Sequence, residues 1–349
     1  EAGFAIVALA IAMDRLSQAA AEKLSAPSPE PQTNGLVARH PYLVAAVLLV
    51  IVTTALGYLI PGIRTYPEAL QLSTGTFWSE VVAWININYF DTLEAIKNAM
   101  LLNVLIPFKR FLGDLPWLGV TAFLGFAGYR LGGWRLGLLT LCLPLFIAVT
   151  GQWEKAMITV YLCGISAVLA SLIGIPIGIF AATRDRVWSW VQVAIDTLQT
   201  LPSFVYLMPA VMLFRVGDFT AMIAVVAFAI APAIRYTALG IRKVDPKLIE
   251  AGRAMGCTEW QILTRIRLKL ALPEILLGLN QTIMFALSML VITALVGTRD
   301  LGQEVYIALT KADTGRGLVA GLSIAAIAII ADRLISAGAS RARHRLGLE

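Results

Sequence analysis

Residues Val244–Pro273 read VDPKLIEAGRAMGCTEWQILTRIRLKLALP, a charged stretch between two long apolar runs. Asp245-Pro246 places an N-cap carboxylate before a proline at the first helical position, so a helix begins there. Gly256 suits the left-handed residue that ends such a helix. Thr258-Glu259-Trp260-Gln261 then forms a capping box, with Thr at N-cap and Gln at N3, and opens a second helix. The stretch therefore predicts two helices with a tight bend, each continuous with an apolar run. Such an elbow can pass a push from a soluble partner into membrane helices.

Those apolar runs set the class of protein. The chain has 349 residues, 58% of them hydrophobic and 14% charged, with mean hydropathy +0.77. Soluble domains carry roughly 25% charged residues, and disordered chains are polar and poor in aromatics. Both classes are excluded. A spanning helix needs about 20 mostly apolar residues. Eight candidates satisfy or approach that length: Tyr42–Ile60, Pro116–Tyr129, Trp134–Thr150, Ala156–Ala182, Val191–Phe214, Thr220–Leu239, Leu276–Val296 and Leu318–Leu334. The expected fold is all-α, a polytopic transmembrane helix bundle of about eight spans plus an N-terminal helix fragment.

The net charge is +6 and the pI about 9.3. The cations sit in short loops between apolar runs rather than in a patch with interleaved aromatics, which argues against nucleic acid and for the positive-inside rule. Arg184-Asp185-Arg186, Arg242–Lys269, and Arg341, Arg343 and Arg345 are the densest clusters, and all are expected in the cytoplasm. Threading eight spans between them leaves no cluster on the wrong side.

Residues 17–40, with Ala26-Pro27-Ser28-Pro29, read as a cytoplasmic linker. Residues 63–114 are too polar to span. Within them Leu93–Leu112 predicts an amphipathic helix interrupted at Pro107, either lying in the interface or packed against other spans. Residues Ala2–Leu16 (AGFAIVALAIAMDRL) match Ala320–Leu334 (AGLSIAAIAIIADRL) at nine of fifteen positions, including both Asp-Arg-Leu endings. The expected organisation follows: 1–16 the last-helix tail of a preceding copy of the same module, 17–40 a linker, 41–151 an accessory region, and 152–340 the core, with the elbow at 244–273.

Cys142, Cys163 and Cys257 form no CxxC pair, and His40 and His344 lie in linker and tail, so a metal site is not expected. No Walker A loop, HExxH or GxSxG occurs. The chain is expected to be no enzyme and to carry no cofactor of its own.

Glu250-Ala251-Gly252, three residues, Gly256, nine residues, then Ile266-Arg267-Leu268 resembles the cytoplasmic EAA loop of ABC importer permeases. Two positions depart from that family's pattern: Gly252 stands where it has alanine, and Lys269 where it has proline. Asp196–Pro209, Ile175–Ile179, Asn280–Met284 with Ala286–Met289, and Leu301–Val305 are similar to segments of glycine betaine/proline betaine permeases. The resemblance covers about residues 150–335. It implies a type I ABC importer permease in the bacterial inner membrane, facing a second permease half. It further implies two ATPase subunits, carrying ATP-Mg, docked on the EAA loops, and an external substrate-binding protein. The implied cargo is a quaternary-amine osmolyte such as glycine betaine, proline betaine, choline or trimethylamine N-oxide. The implied coupling residues are Glu250, Ala251, Gly252, Gly256, Ile266 and Leu268. An ion-coupled secondary transporter, which would not need a capped helical elbow, and an integral-membrane enzyme, which would need a catalytic pair or metal motif that no suitably placed His or Cys supplies, are the alternatives.

Polar groups inside spans are costly and face a cavity or a partner helix. Asn280, Gln281, Thr282 and Ser288 lie on one span, and Gln199, Ser203 and Tyr206 on another. Gln281 and Ser288, seven apart, share a helical face, as do Gln199, Ser203 and Tyr206, spaced four and three. Both faces are candidates for lining a translocation pathway or for interhelical hydrogen bonding. Asp196 is expected either to pair with Arg235 or to cap a kinked helix. Prolines 176, 202, 209 and 232 predict kinks. No aromatic cluster is evident along the chain.

Overall fold

A computed structural model describes residues 8–9, 12–13, 15–17, 19–21, 41–60 and 75–346. The matched segment at residues 2–16 and the linker at 17–40 lie largely outside the described residues. The chain divides into two compact units, residues 1–84 and 85–349. All regular structure among the described residues is helical. In order these are α1 (Pro41–Leu59), α2 (Gly75–Met100), α3 (Ile106–Gly113), α4 (Trp117–Val149), α5 (Trp153–Ala182), α6 (Asp185–Thr200), α7 (Ser203–Phe214), α8 (Asp218–Arg242), α9 (Pro246–Ala254), α10 (Glu259–Val296), α11 (Leu301–Lys311) and α12 (Thr314–Leu346).

Among the described residues five helices (α4, α5, α8, α10 and α12) are long and apolar enough to cross a membrane, or six if the bent pair α6–α7 is one span. The expectation of eight is corrected on two points, each with a local cause. Helix α1 forms where expected, but its apolar stretch Tyr42–Tyr58 is shorter than a full crossing.

The two helices expected at 116–129 and 134–150 are present as the two arms of α4, which breaks at Gly132 (φ −139°, ψ 15°) and Gly133 (φ 79°, ψ −171°). Gly133 takes a backbone conformation that side-chain-bearing residues avoid. The break folds the element back on itself. A Cβ on Gly125 would lie 3.2 Å from that of Leu141, and one on Gly128 3.2 Å from the Gly137 Cα. Glycines let the two arms touch backbone to backbone.

The second correction concerns Val191–Phe214. Leu201 (ψ 132°) and Pro202 (ψ 136°) are extended, and the two helices they join are bent by 94°. Proline lacks the N–H that would continue the ladder and pushes the residue before it out of the helical region. Helix α6 therefore runs apart from α7, with Trp190 79% exposed and Ile195 its one buried residue.

Pro107 does not interrupt its helix. A π-helical stretch, Leu101–Leu105, precedes it and carries the chain from α2 into α3. The wider turn accommodates the missing N–H. Leu105 is buried with Tyr161, Leu162 and Met222, so this segment packs against the bundle.

The core is the contact of α5, α8 and α10. Gly174 and Gly178, four apart on α5, receive α8. A Cβ on Gly174 would meet the Cβ of Ala233 at 2.8 Å, and one on Gly178 the Ile234 carbonyl oxygen at 2.7 Å. In lipid, where apolar tails compete with apolar side chains, such small-residue contacts hold helices together. The outward-facing side chains, among them Leu172 and Phe123, are apolar and exposed, as lipid contact requires.

Candidate functional site: the helical elbow and the polar bundle interior

The elbow forms as its caps dictate. The Asp245 carboxylate accepts the Lys247 N–H at 2.9 Å, and Pro246 opens α9. Helix α9 ends in a Schellman arrangement: the Gly256 N–H donates to Arg253 O (2.9 Å) and the Cys257 N–H to Gly252 O (3.0 Å). Gly256 sits at φ 80°. The Thr258 N–H donates to Gln261 Oε1 at 2.9 Å and the Gln261 N–H to Thr258 Oγ1 at 3.3 Å, completing the capping box. Arg253 Nε and Glu259 Oε1 close the bend at 2.9 Å, and the nearby carboxylate raises the Arg253 pKa.

Gly252 is buried, and a Cβ there would lie 2.7 Å from Ile266 Cδ1. The glycine at this position lets α9 lie directly on the π-helical stretch Ile262–Arg267, whose Ile262 is fully buried. An alanine would require Ile266 to shift. Leu268 packs with Ala182, Ala238, Ile241 and Ala271, joining the elbow to α5, α8 and α10. The opposite side is open. Glu250 and Ala251 are exposed beside Leu248, Met255 and Trp260, the last two 84% and 72% exposed. The elbow is thus a rigid piece with its inner face fused to three bundle helices and its outer face unpartnered among the described residues.

Within the bundle the polar residues separate into two kinds. Asn280 is 4% exposed and donates from Nδ2 to Asp332 Oδ1 at 2.7 Å, while buried Thr282 donates to Gly278 O. Gln281 is half-buried and Ser288 exposed. The continuous α10 keeps those two on one face. The common face of Gln199, Ser203 and Tyr206 is corrected: the bend at Pro202 puts Gln199 on α6 and the other two on α7. Tyr206 still reaches back, donating its hydroxyl to Leu198 O. Arg235 Nη2 meets Asp196 Oδ1 at 2.6 Å, so the pairing alternative holds. Tyr206, Phe228 and Phe285, from three helices, form an aromatic cluster, Tyr206 meeting Phe228 edge to face at 5.6 Å and Phe228 lying tilted against Phe285 at 5.3 Å between ring centroids. This cluster is invisible along the chain because its members lie on separate helices.

Sequence reasoning missed two ionic junctions. Asp218 Oδ2 accepts from Lys109 Nζ at 2.8 Å and from Tyr161 O–H at 2.7 Å, tying α3 to α5 and α8. Glu304, 3% exposed, pairs with both Lys155 and Arg316. These cations hold its carboxyl below the ordinary range, with the Arg316 hydrogen bond the largest cause. Glu304 lies in the Leu301–Val305 segment, a charged residue beside apolar helix ends, and that was its signal.

A membrane-embedded helix bundle joined rigidly to a capped two-helix elbow is the architecture of a transport permease. The comparisons place it further. Residues 174–344 match the family described as binding-protein-dependent transport system inner membrane component. The chain is 38% identical over 255 residues to the glycine betaine transport system permease protein OpuAB of Bacillus subtilis, covering 72% of this chain and 89% of that one. It is 34% identical over 267 residues to the glycine betaine/proline betaine transport system permease protein ProW of Escherichia coli, covering 76% and 75%. Over its whole length it is 36% identical to the trimethylamine N-oxide transport system permease protein TmoV of Pelagibacter ubique, covering 49% of that protein. The chain thus spans about half the length of TmoV. It belongs to the binding-protein-dependent transport permeases of the inner membrane.

Proposed function

We propose that this chain is a permease half of an ATP-driven importer for a quaternary-amine or amine-oxide osmolyte. The observation that carries the reading is the elbow: α9 and the start of α10 are capped at both ends, locked at Gly256, seated on three bundle helices and bare on the outside. Two ATPase subunits holding ATP-Mg are the partners that this outer face fits, one on each permease half. The second half is a copy of the same module, a reading supported by the match between residues 2–16 and 320–334. A substrate-binding protein delivers the solute on the opposite side of the membrane. Closure of the ATPases presses on Glu250, Ala251 and the exposed apolar residues. The elbow transmits that movement through Ile266 and Leu268 into α8 and α10. Gln281 and Ser288, on the less buried face of α10, line the pathway, with Ser203 and Tyr206 across the bend from Gln199.

The test is uptake into proteoliposomes holding the transporter with its ATPase subunits and binding protein. Radiolabelled betaine, choline and trimethylamine N-oxide are offered in turn. ATP-dependent accumulation of at least one is expected. Accumulation driven by an ion gradient without ATP would overturn the reading in favour of a secondary transporter.

A further inference from the structure

Three aromatic rings meet at mid-depth in the bundle, each carried by a different helix. Phe228 of α8 contacts both Tyr206 of α7 and Phe285 of α10. Phe228 lies ten residues after Asp218, which opens α8, and fourteen before Arg242, which ends it. Phe285 lies sixteen residues after Lys269, the last cation of the elbow, and eleven before Val296. At 1.5 Å per residue these separations are about 15–24 Å, which places the rings near the centre of a hydrocarbon layer about 30 Å thick. All three pack against the buried core of the bundle, yet each is only half-buried. Phe285 shares its helical face with Gln281, four residues before it, and Ser288, three after it, on the side where Gln281 is half-buried and Ser288 exposed. The Tyr206 hydroxyl is committed to Leu198 O, so what this residue offers a ligand is its ring.

The chemistry that such a place accepts is narrow. No charged side chain occurs in α7, in Phe219–Ile234 of α8 or in Ile275–Val296 of α10. The Asp196 carboxylate is paired with Arg235, and that of Asp332 with Asn280. An ordinary ammonium group at this depth would find too few acceptors for its N–H bonds. A quaternary nitrogen has no N–H to satisfy, and the negative faces of aromatic rings attract it directly. We propose, resting on the osmolyte function inferred for this chain, that Phe285 and Tyr206, held in place by Phe228, form a cation–π site. It receives the methylated quaternary nitrogen of the solute halfway across the membrane. The Gln281 amide, one turn from Phe285, meets the oxygen end of the same solute, whether carboxylate, hydroxyl or N-oxide. The rings thereby select for a quaternary nitrogen, since an uncharged solute of the same size gains little from them.

The test changes the electrostatics of one ring while nearly keeping its shape. In the complete transporter, Phe285 is replaced by phenylalanine carrying one, two or three ring fluorines, which withdraw electron density from the ring face. ATP-driven uptake is measured with radiolabelled betaine, choline and trimethylamine N-oxide. The maximal rate should fall stepwise, about tenfold across the series, with Phe285→Leu as slow as the trifluorinated ring. Thermal midpoints of the fluorinated proteins should match wild type, which a loss of packing would not allow. A flat series in a transporter that accumulates the solute would overturn the site alone, and a defect confined to Phe285→Leu would make the ring a packing residue. Rates that fall only in step with the thermal midpoint would overturn it in the same way. Failure of wild type to accumulate any of the three solutes would instead remove the osmolyte function, and this site with it.

Discussion

Arg253 and Glu259 meet at 2.9 Å across Gly256, linking the last turn of α9 to the first turn of α10. Both side chains are well exposed, 55% and 70%, so the pair adds little to stability. The bend is held instead by the backbone, through the two Schellman hydrogen bonds and the left-handed Gly256.

Gly256→Val should therefore damage coupling rather than folding. A Cβ there meets nothing within 4 Å, so the strain is purely conformational. A β-branched residue at φ 80° costs about 1–2 kcal/mol. Membrane insertion should stay normal, because the spans insert through their own apolar surface. ATP-driven uptake in proteoliposomes should fall at least tenfold. Uptake at the wild-type rate by a normally inserted variant would show that the elbow angle does not matter.

Gly178→Val should behave in the opposite way. The added Cβ falls 2.7 Å from the Ile234 carbonyl oxygen and 2.8 Å from Thr237 Cβ, neither the free end of a flexible chain. Helices α5 and α8 must separate, at a cost of about 1–3 kcal/mol. A lower thermal midpoint in detergent is expected, with reduced membrane yield. An unchanged midpoint would mean that the pair is looser than described.

The loop after α10 should respond to acid. Asp300 is fully buried, caps α11 through Gln303 N–H and accepts from Thr298 Oγ1, while its Oδ2 has no partner. Burial, aided by the charge on Asp218, raises its pKa from 3.8 to about 6. Because the folded pKa exceeds the unfolded one, the folded state binds the proton more readily. Stability attributable to Asp300 falls as pH rises from about 4 to about 6 and is level above that. Hydrogen exchange of α11 amides, corrected for the intrinsic pH dependence, should slow between pH 7 and pH 5. Asp300→Asn, which retains N-capping ability, should remove the difference. Glu304, whose pKa is lowered, acts with the opposite sign and only below the ordinary carboxylate range.

Gln281→Trp and Ser288→Trp should each slow uptake severalfold while leaving assembly intact, since neither side chain is fully buried. Asn280→Trp, replacing a residue buried against Asp332, should instead lower yield. Normal uptake by both of the first two variants would make their face a structural one.

Much of the elbow was legible in the chain because its determinants are local. Asp245, Pro246, Gly256 and the Thr258–Gln261 box each act on backbone groups within a few residues, and all took the roles their chemistry predicts. The membrane class was equally legible, since apolar length alone sets it. Inside the apolar runs the sequence carries less information, because leucine, isoleucine and alanine can face lipid or protein alike. Pro202 announced a kink but not an angle of 94°. The two helices either side of Gly132-Gly133 were legible as apolar runs, but the close contact of Gly125 and Gly128 with the other arm was not.

The sequence by itself determined that this protein lives in a membrane, that its spans are helical, and that a rigid capped elbow joins two of them. The tertiary structure decided which polar groups meet. Asn280 and Asp332 lie 52 residues apart, Arg235 and Asp196 39, Lys109 and Asp218 109. Caps act through hydrogen bonds to the nearest few peptide groups, so they can be read in one dimension. Buried polar pairs depend on how helices rotate and cross, and that follows from glycine and alanine contacts spread over the whole bundle.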